Sequence, residues 1–557
     1  MSHSKIFLSV LLIIVGSILF ISCNFNTSKK VEPVAKPVPV EKISEDLQKS
    51  IEYALKNSGK INDSVKLNYA NLIDSVYQDH IYEPIWSKNS QWLPLADSLF
   101  RFIADCKESG LFPRDYHATS LAFVQRVFQA DTVARKNLPL WAKTDILLTD
   151  AFFALTRDLK LGRLKPDSVT LRTDSLLNNG FYKQNLLAAF QSGTISLTLQ
   201  RLEPKIAGYD SLKAYIRNFL ATASFQPYTY LVFPYKDSLI FFKSVEKRLR
   251  ELGEIAPEQP ELDSISLRNA FRKYQKNQFL KVTGRLSDQM VDRLNWTDWE
   301  KFKKIAVNLD RYKQLPDSLP KTRAWVNLPS YTLQVVKDDT VAFQSKIICG
   351  GYLTRTPLLT SDISNFITYP QWTVPYSIIF KEMLPKIQKN VEFLAKENLI
   401  VVDQNDSVRD PTTINWAKLD KEHFPYLLKQ REGDDNSLGV IKFNFRNKYS
   451  VYLHDTNVRW KFNNSFRAIS HGCVRVKEWS KLANFLVRND SVRYNKDTLK
   501  AWINRQEKHI VSGFTKLPLY IRYFTCEGKD GRIKFYDDIY EEDRYLREKY
   551  FGDKAVQ

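Results

Sequence analysis

Two residue types that are scarce in this chain meet at AISHGCVRV, residues 468–476, where His471 and Cys473 flank Gly472. Cysteine is set apart by its reactivity rather than its packing, so Cys473 is a core residue, a metal ligand or a nucleophile. The following VKEWSKLANFLV places Val476, Trp479, Leu482, Ala483 and Leu486 on one helical face. Cys473 is therefore expected close to a helix amino terminus, where exposed N–H groups and the positive dipole end favour the reactive thiolate. Gly472 permits close backbone approach, and the N–H groups of Gly472 and Cys473 are candidates for stabilising an oxyanion. A base is needed as well. In YSVYLHD, alternation puts Tyr452 and His454 on one face of a strand end and Val451 and Leu453 on the other. Nucleophile, base and an orienting acceptor make up the arrangement of an activated cysteine. Zinc is the competing use of His454, His471 and Cys473, but no C-x-x-C supplies further ligands, so no metal or other cofactor is expected.

Elements of three kinds surround these residues. Over 557 residues, two to four domains are expected. From about 43 to 236 the pattern is helical: DILLTDAFFALTRDLKLG, 145–162, has helical apolar spacing and a stop at Gly162. Residues 237–296 carry three short amphipathic helices separated by Gly253 and by Thr283-Gly284-Arg285, and 297–320 form a helical connector. From about 321 the period changes to two in TRAWVNLPSYTLQVV, TVAFQSKIICGG and GVIKFNFRNKYSVYLHD, which predicts a β-rich domain over 321–525, followed by a C-terminal extension, 526–557. Alternation lapses near 386–438, an insertion whose size and position suit a lid. The fold class is thus multidomain α+β. Cys106 and Cys349 read as core and strand residues.

The amino terminus, 1–23, has Lys5, an apolar run from Ile6 to Phe20 and then Ile21-Ser22-Cys23. It resembles a bacterial lipoprotein signal, which implies lipidation of Cys23; the rival reading is an uncleaved membrane anchor. Residues 24–42, with Pro33, Pro37 and Pro39, read as an extended tether to the membrane. Lys and Arg exceed Asp and Glu by 82 to 62, a net +20 that favours anionic polymers or surfaces. No dense basic block or recognition motif points to nucleic acid.

His454, followed after fifteen residues by Ser470-His471-Gly472-Cys473-Val474-Arg475, resembles the active-site signature of the L,D-transpeptidase (YkuD-type) catalytic domain. VNLPSYTLQVV, GGYLTRTPLLTSDISNFITYPQWTVPYSI, LGVIKFNF and YLHDT are similar to the large YcbB-like subfamily, and RLRELGE, F-x-x-Y-Q and G-R-L-S resemble a peptidoglycan-binding module. The resemblance implies a β-sandwich-like catalytic domain in a membrane-tethered periplasmic enzyme that joins peptidoglycan stem peptides, one as donor and one as acceptor. It implies Cys473 as nucleophile, His454 as general base, the Asp455 backbone carbonyl as its orienter, and Gly472 with Cys473 as the oxyanion site. Ser470, His471 and Arg475 would bind or shape the substrate, and Tyr452 would line the pocket. Hydrolysis by the same pair, giving an L,D-carboxypeptidase or crosslink-cleaving amidase, and a non-catalytic wall anchor are the alternatives. Serine-based penicillin-binding chemistry lacks its K-T-G motif.

Overall fold

The structure is a computed structural model that describes residues 40–551 apart from 64, 167, 168, 170–176, 279 and 491. The expected signal or anchor with Cys23, and the tether up to residue 39, lie outside the described residues. Among those described, no helix is long and apolar enough to cross a membrane.

The first half is helical. Its central element is α1 (Leu138–Leu161), which starts with Pro139 in its first turn and the Asn137 side chain accepting from the Leu140 N–H, and stops at Gly162 with φ 73°. Phe152, Phe153 and Leu155 are fully buried against a ring of surrounding helices; truncating either Phe to Ala would cost about 3–5 kcal/mol. Three shorter helices, Ser238–Glu251, Ser264–Asn277 and Asp288–Leu294, share a separate core that includes Phe271, Tyr274 and Met290. The F-x-x-Y-Q pattern has a structural reason here. Gln275 is buried, accepts from the Thr283 and Gly284 N–H groups at 2.9 Å and donates to Arg285 O at 2.8 Å, fixing the turn in which Gly284 has φ 66°. The connector helix α2 (Asp298–Lys313), capped by Thr297, packs against the first domain and the C-terminal helix Glu542–Phe551.

The β-rich domain contains β1 (Arg323–Asn327), β2 (Thr332–Lys337), β3 (Thr340–Gly350), β4 (Leu359–Thr368), β5 (Ile441–Phe445), β6 (Leu453–His454), β7 (Ala468–Ser470), β8 (Val474–Val476), β9 (Ile510–Val511) and β10 (Leu517–Arg522). Asp338 and Asp339, both at positive φ, make the tight β2–β3 turn. The ladders run β5-β6-β8-β3-β2-β1-β10-β4, and β4 also pairs with β5. Within the expected β-sandwich-like domain, the strands form one closed circuit. The cause is β4, whose first half pairs with β10 and whose second half pairs with β5. Closure leaves no free edge along this path and encloses a core containing Val326, Ile347, Phe366, Phe443, Leu453 and Val474.

The insertion between β4 and β5 has its own four-stranded antiparallel sheet, from Trp372–Thr373 to Leu427–Gln430, and its own core around Ile379, Leu384, Val401, Trp416 and Leu428. It begins at Trp372, earlier than the expected 386, because Trp372 and Thr373 pair with Gln430 and Lys429.

Candidate active site

The site is assembled by strand register. β5 and β6 pair antiparallel with Lys442 opposite His454 and Phe443 opposite Leu453; β6 and β8 pair parallel with Leu453 opposite Val474 and His454 opposite Arg475. Directly paired residues face the same side of a sheet, so Leu453, Val474 and Phe443 enter the core together. Their neighbours Lys442, Tyr452, His454 and Arg475 take the opposite face. The Val474 N–H donates to Tyr452 O at 3.1 Å, which carries the ladder to Cys473 and sets it beside Tyr452, a diagonal step from His454. Residues far apart in the sequence are thereby placed on one face of the sheet.

The turn before Cys473 is held by side chains. Gly472 has φ 118°, a conformation that favours glycine. Its N–H donates to Ser470 Oγ (3.2 Å), and the Ser470 hydroxyl donates to Cys473 O (2.6 Å). Gly472 O accepts from Thr356 Oγ1 (2.8 Å), which accepts from the Gly350 N–H (2.8 Å). Tyr540 braces the same corner by donating to Gly350 O (2.7 Å) and accepting from the Thr356 N–H (3.1 Å).

Three expectations are corrected by these contacts. Ser470 is buried and closes the turn rather than facing a substrate. The Gly472 N–H is engaged by Ser470, leaving the Cys473 N–H as the open donor of the pair; it has no partner among the described residues. Cys473 is not at a helix amino terminus. Val474–Val476 pair with β6 and β3, and the helix α3 (Trp479–Leu486) starts only afterwards, because β-branched alternation in Val-Arg-Val meets two waiting strands.

Burial pushes the Cys473 thiol up, while the Tyr452 amide and hydroxyl, Lys442 and Arg475 pull it down. His454 is 5% exposed and is driven down to about 3, chiefly by burial and then by Arg475, with the backbones of Asp455 and Leu438 acting in the other direction. It is a neutral imidazole at physiological pH, able to accept a proton and disposed to hand it on. Its Nδ1 is buried without a well-formed hydrogen bond. The Asp455 carboxylate is elsewhere engaged, by Arg459 and by the Val440 N–H at 3.1 Å, so the backbone of Asp455 is what reaches the imidazole. Tyr452 lies edge-on to His454 with ring centroids 5.6 Å apart. Arg475 donates to Thr456 Oγ1 at 3.3 Å.

The insertion reaches this face. Trp372 acts on the Tyr452 hydroxyl, and Glu382 Oε1 lies 2.5 Å from His471 Nε2 at the surface. Lys442, Trp372 and Glu382 are site residues that sequence reasoning missed; for Lys442 the signal was its polar position in the alternating GVIKFNF. Cys106, Cys349, Cys473 and Cys526 are all free thiols. Among the described residues no three His, Cys, Asp or Glu side chains converge as metal ligands would.

Residues 71–216 match a family described as a scaffold domain, and residues 321–493 match the L,D-transpeptidase catalytic domain family, YkuD. Over 251 residues, 44% of this chain, the sequence is 34% identical to a Haemophilus influenzae protein provisionally named an L,D-transpeptidase. The chain spans about half, 48%, of that relative's length. Similar solved structures include a cysteine-to-serine mutant of the Enterococcus faecium L,D-transpeptidase (11% identity, 38% of this chain and 52% of that one, TM-score 0.17). Another is an L,D-transpeptidase from Mycobacterium smegmatis (13% identity, 36% and 58%, TM-score 0.16). Residues 321–493 of this chain are an L,D-transpeptidase catalytic domain of the YkuD family.

Proposed function

We propose that the protein is a peptidoglycan L,D-transpeptidase that forms 3-3 crosslinks with Cys473 as nucleophile. The observation that carries this is the common face of Cys473, Tyr452 and His454, set by the β6–β8 register. The Cys473 sulfur attacks the carbonyl of the third residue of a donor stem tetrapeptide, and the thiol proton passes to the neutral His454 imidazole. The Cys473 N–H, free of other partners among the described residues, stabilises the oxyanion. The C–N bond to D-alanine breaks, D-alanine leaves with a proton from His454, and a thioester remains. An amine of a second stem attacks that thioester, gives its proton to His454 and releases the sulfur.

The rest of the chain fits this task. Cys23, lipidated after the signal before it is removed, and the tether 24–42 hold the enzyme at a membrane in the periplasm. The three helices of 237–296 engage the wall, and the insertion covers the cleft as a lid through Trp372 and Glu382. The test is incubation of the purified protein with tetrapeptide muropeptides and mass analysis of the products. Dimers lacking one D-alanine are expected. Monomers shortened by D-alanine without dimers would make the enzyme a carboxypeptidase and overturn the transferase reading.

A further inference from the structure

No helix terminus lies behind Cys473, and His454 carries positive charge only while it holds the thiol proton, so standing charge to balance an ionised sulfur must come from elsewhere. Two cations share its face. Lys442 stands opposite His454 in the β5–β6 pair, its ammonium 4.2 Å from the Tyr452 ring centroid, and Arg475 stands opposite His454 in the β6–β8 pair. Both are half-buried, and among the described residues neither has a carboxylate partner. Arg475 Nε is buried without a hydrogen bond. Cations withdrawn from water without an anion are costly, and chains retain them where an anion forms. Among the described residues, the group of opposite sign that acts on each is the Cys473 sulfur.

We propose that Lys442, supported by Arg475, is the counter-ion of the Cys473 thiolate; this rests on Cys473 being the nucleophile. When the S–H bond breaks, its electron pair stays on sulfur and the proton passes through His454 to water or to the leaving amine. Lys442 keeps its charge throughout. The charged and titratable groups facing the sulfur are Lys442 from β5, Tyr452 and His454 from β6 and Arg475 from β8. Past the turn, His471 is taken by Glu382 of the insertion, and the Arg355 backbone lies behind Gly472.

The experiment is the pH dependence of iodoacetamide alkylation at Cys473 in the full chain, read by peptide mass so that Cys106, Cys349 and Cys526 do not contribute. Lys442→Met is expected to raise the midpoint by about one pH unit and to slow alkylation at pH 7 about tenfold. Lys442→Arg restores the wild-type profile within about twofold, and Arg475→Gln shifts it in the same direction as Lys442→Met. His454→Gln leaves the midpoint in place or lowers it. If Lys442→Met folds poorly, Lys442→Gln and Arg475→Gln carry the same test. An unchanged midpoint in the charge-removing variants, or a midpoint raised by His454→Gln alone, overturns the counter-ion. Cys473→Ala decides separately: if it still forms crosslinks, the nucleophile reading itself fails.

Discussion

Two buried polar clusters in this molecule are built on opposite plans. In the helical domain, Asp150 accepts from the Asn68 and Tyr69 N–H groups (2.8 and 2.9 Å), from Asn68 Nδ2 (3.0 Å) and pairs with His117 Nε2 (2.8 Å). Asp145, one turn earlier on α1, accepts from Tyr77 Oη (2.6 Å) and the Ile85 and Trp86 N–H groups (2.9 and 3.1 Å). Each anion there is saturated with donors, and the network fixes loops against α1. On the face that carries Cys473, His454 has a buried Nδ1 without a well-formed bond, Arg475 has a buried Nε in the same state, and among the described residues Lys442 has no carboxylate partner. Satisfied groups specify architecture; unsatisfied ones hold charge and hydrogen-bonding capacity for a reaction.

Substitution breaks the two clusters in different ways. Cys473→Ala and His454→Ala are each expected to lower crosslink formation by more than about 10³-fold, with His454→Ala the milder. Neither should lower the thermal midpoint appreciably. Muropeptide turnover and calorimetry on the same samples check both halves of that statement.

Acid separates the clusters by sign. His454 is held near 3 against an unfolded value near 6.5, so its contribution is full above pH 6.5 and is lost as pH falls toward 3. Asp145 is raised by burial to about 6, so its contribution is full below about pH 4 and is lost as pH rises through 6. Between pH 7 and 4 the catalytic domain therefore loses about 3 kcal/mol from His454 while the helical domain gains a similar amount from Asp145. Two-transition scanning calorimetry should show the transitions moving apart, and a shared downward drift would contradict the difference.

Smaller effects sharpen the contrast. Asp150→Ala removes the acceptor of the exposed Asn68 and the half-buried Tyr69 and His117 and is expected to cost the helical domain about 1–3 kcal/mol in denaturant unfolding. Cys473 alkylation should stay at the wild-type rate. Glu382→Gln, at an exposed pair, should change stability by less than about 1 kcal/mol, but it is expected to raise KM for the donor stem a few-fold as the insertion loses its hold on His471. Steady-state kinetics separates that KM effect from kcat.

Local pattern made much of this legible. Period-two alternation marks β1, β2, β3, β5 and β6, Gly162 ends α1, and the spacing from His454 to Cys473 carries the candidate pair. What local pattern could not supply is pairing. The placement of Cys473 at a helix start failed because Val476 was read with the helix that follows it, while β3 and β6 claim Val474–Val476 first. Lys442 is one polar position of the alternating GVIKFNF, and only the β5–β6 register sets it opposite His454. Ser470 looked like a substrate contact because its turn partners, Gly472 N–H and Cys473 O, depend on the φ of Gly472. Closure of the sheet is equally non-local, resting on one long strand serving two partners.

The central claim is that the Cys473 sulfur becomes covalently acylated with His454 as its proton acceptor. Intact-mass measurement of the protein after brief exposure to a tetrapeptide donor, without acceptor, tests it most directly. A mass gain equal to the donor less D-alanine is predicted, mapped to Cys473, absent in Cys473→Ala and slow to appear in His454→Ala. The same adduct forming on Cys473→Ala, or crosslinks accumulating with no adduct on the wild-type thiol, would contradict the account.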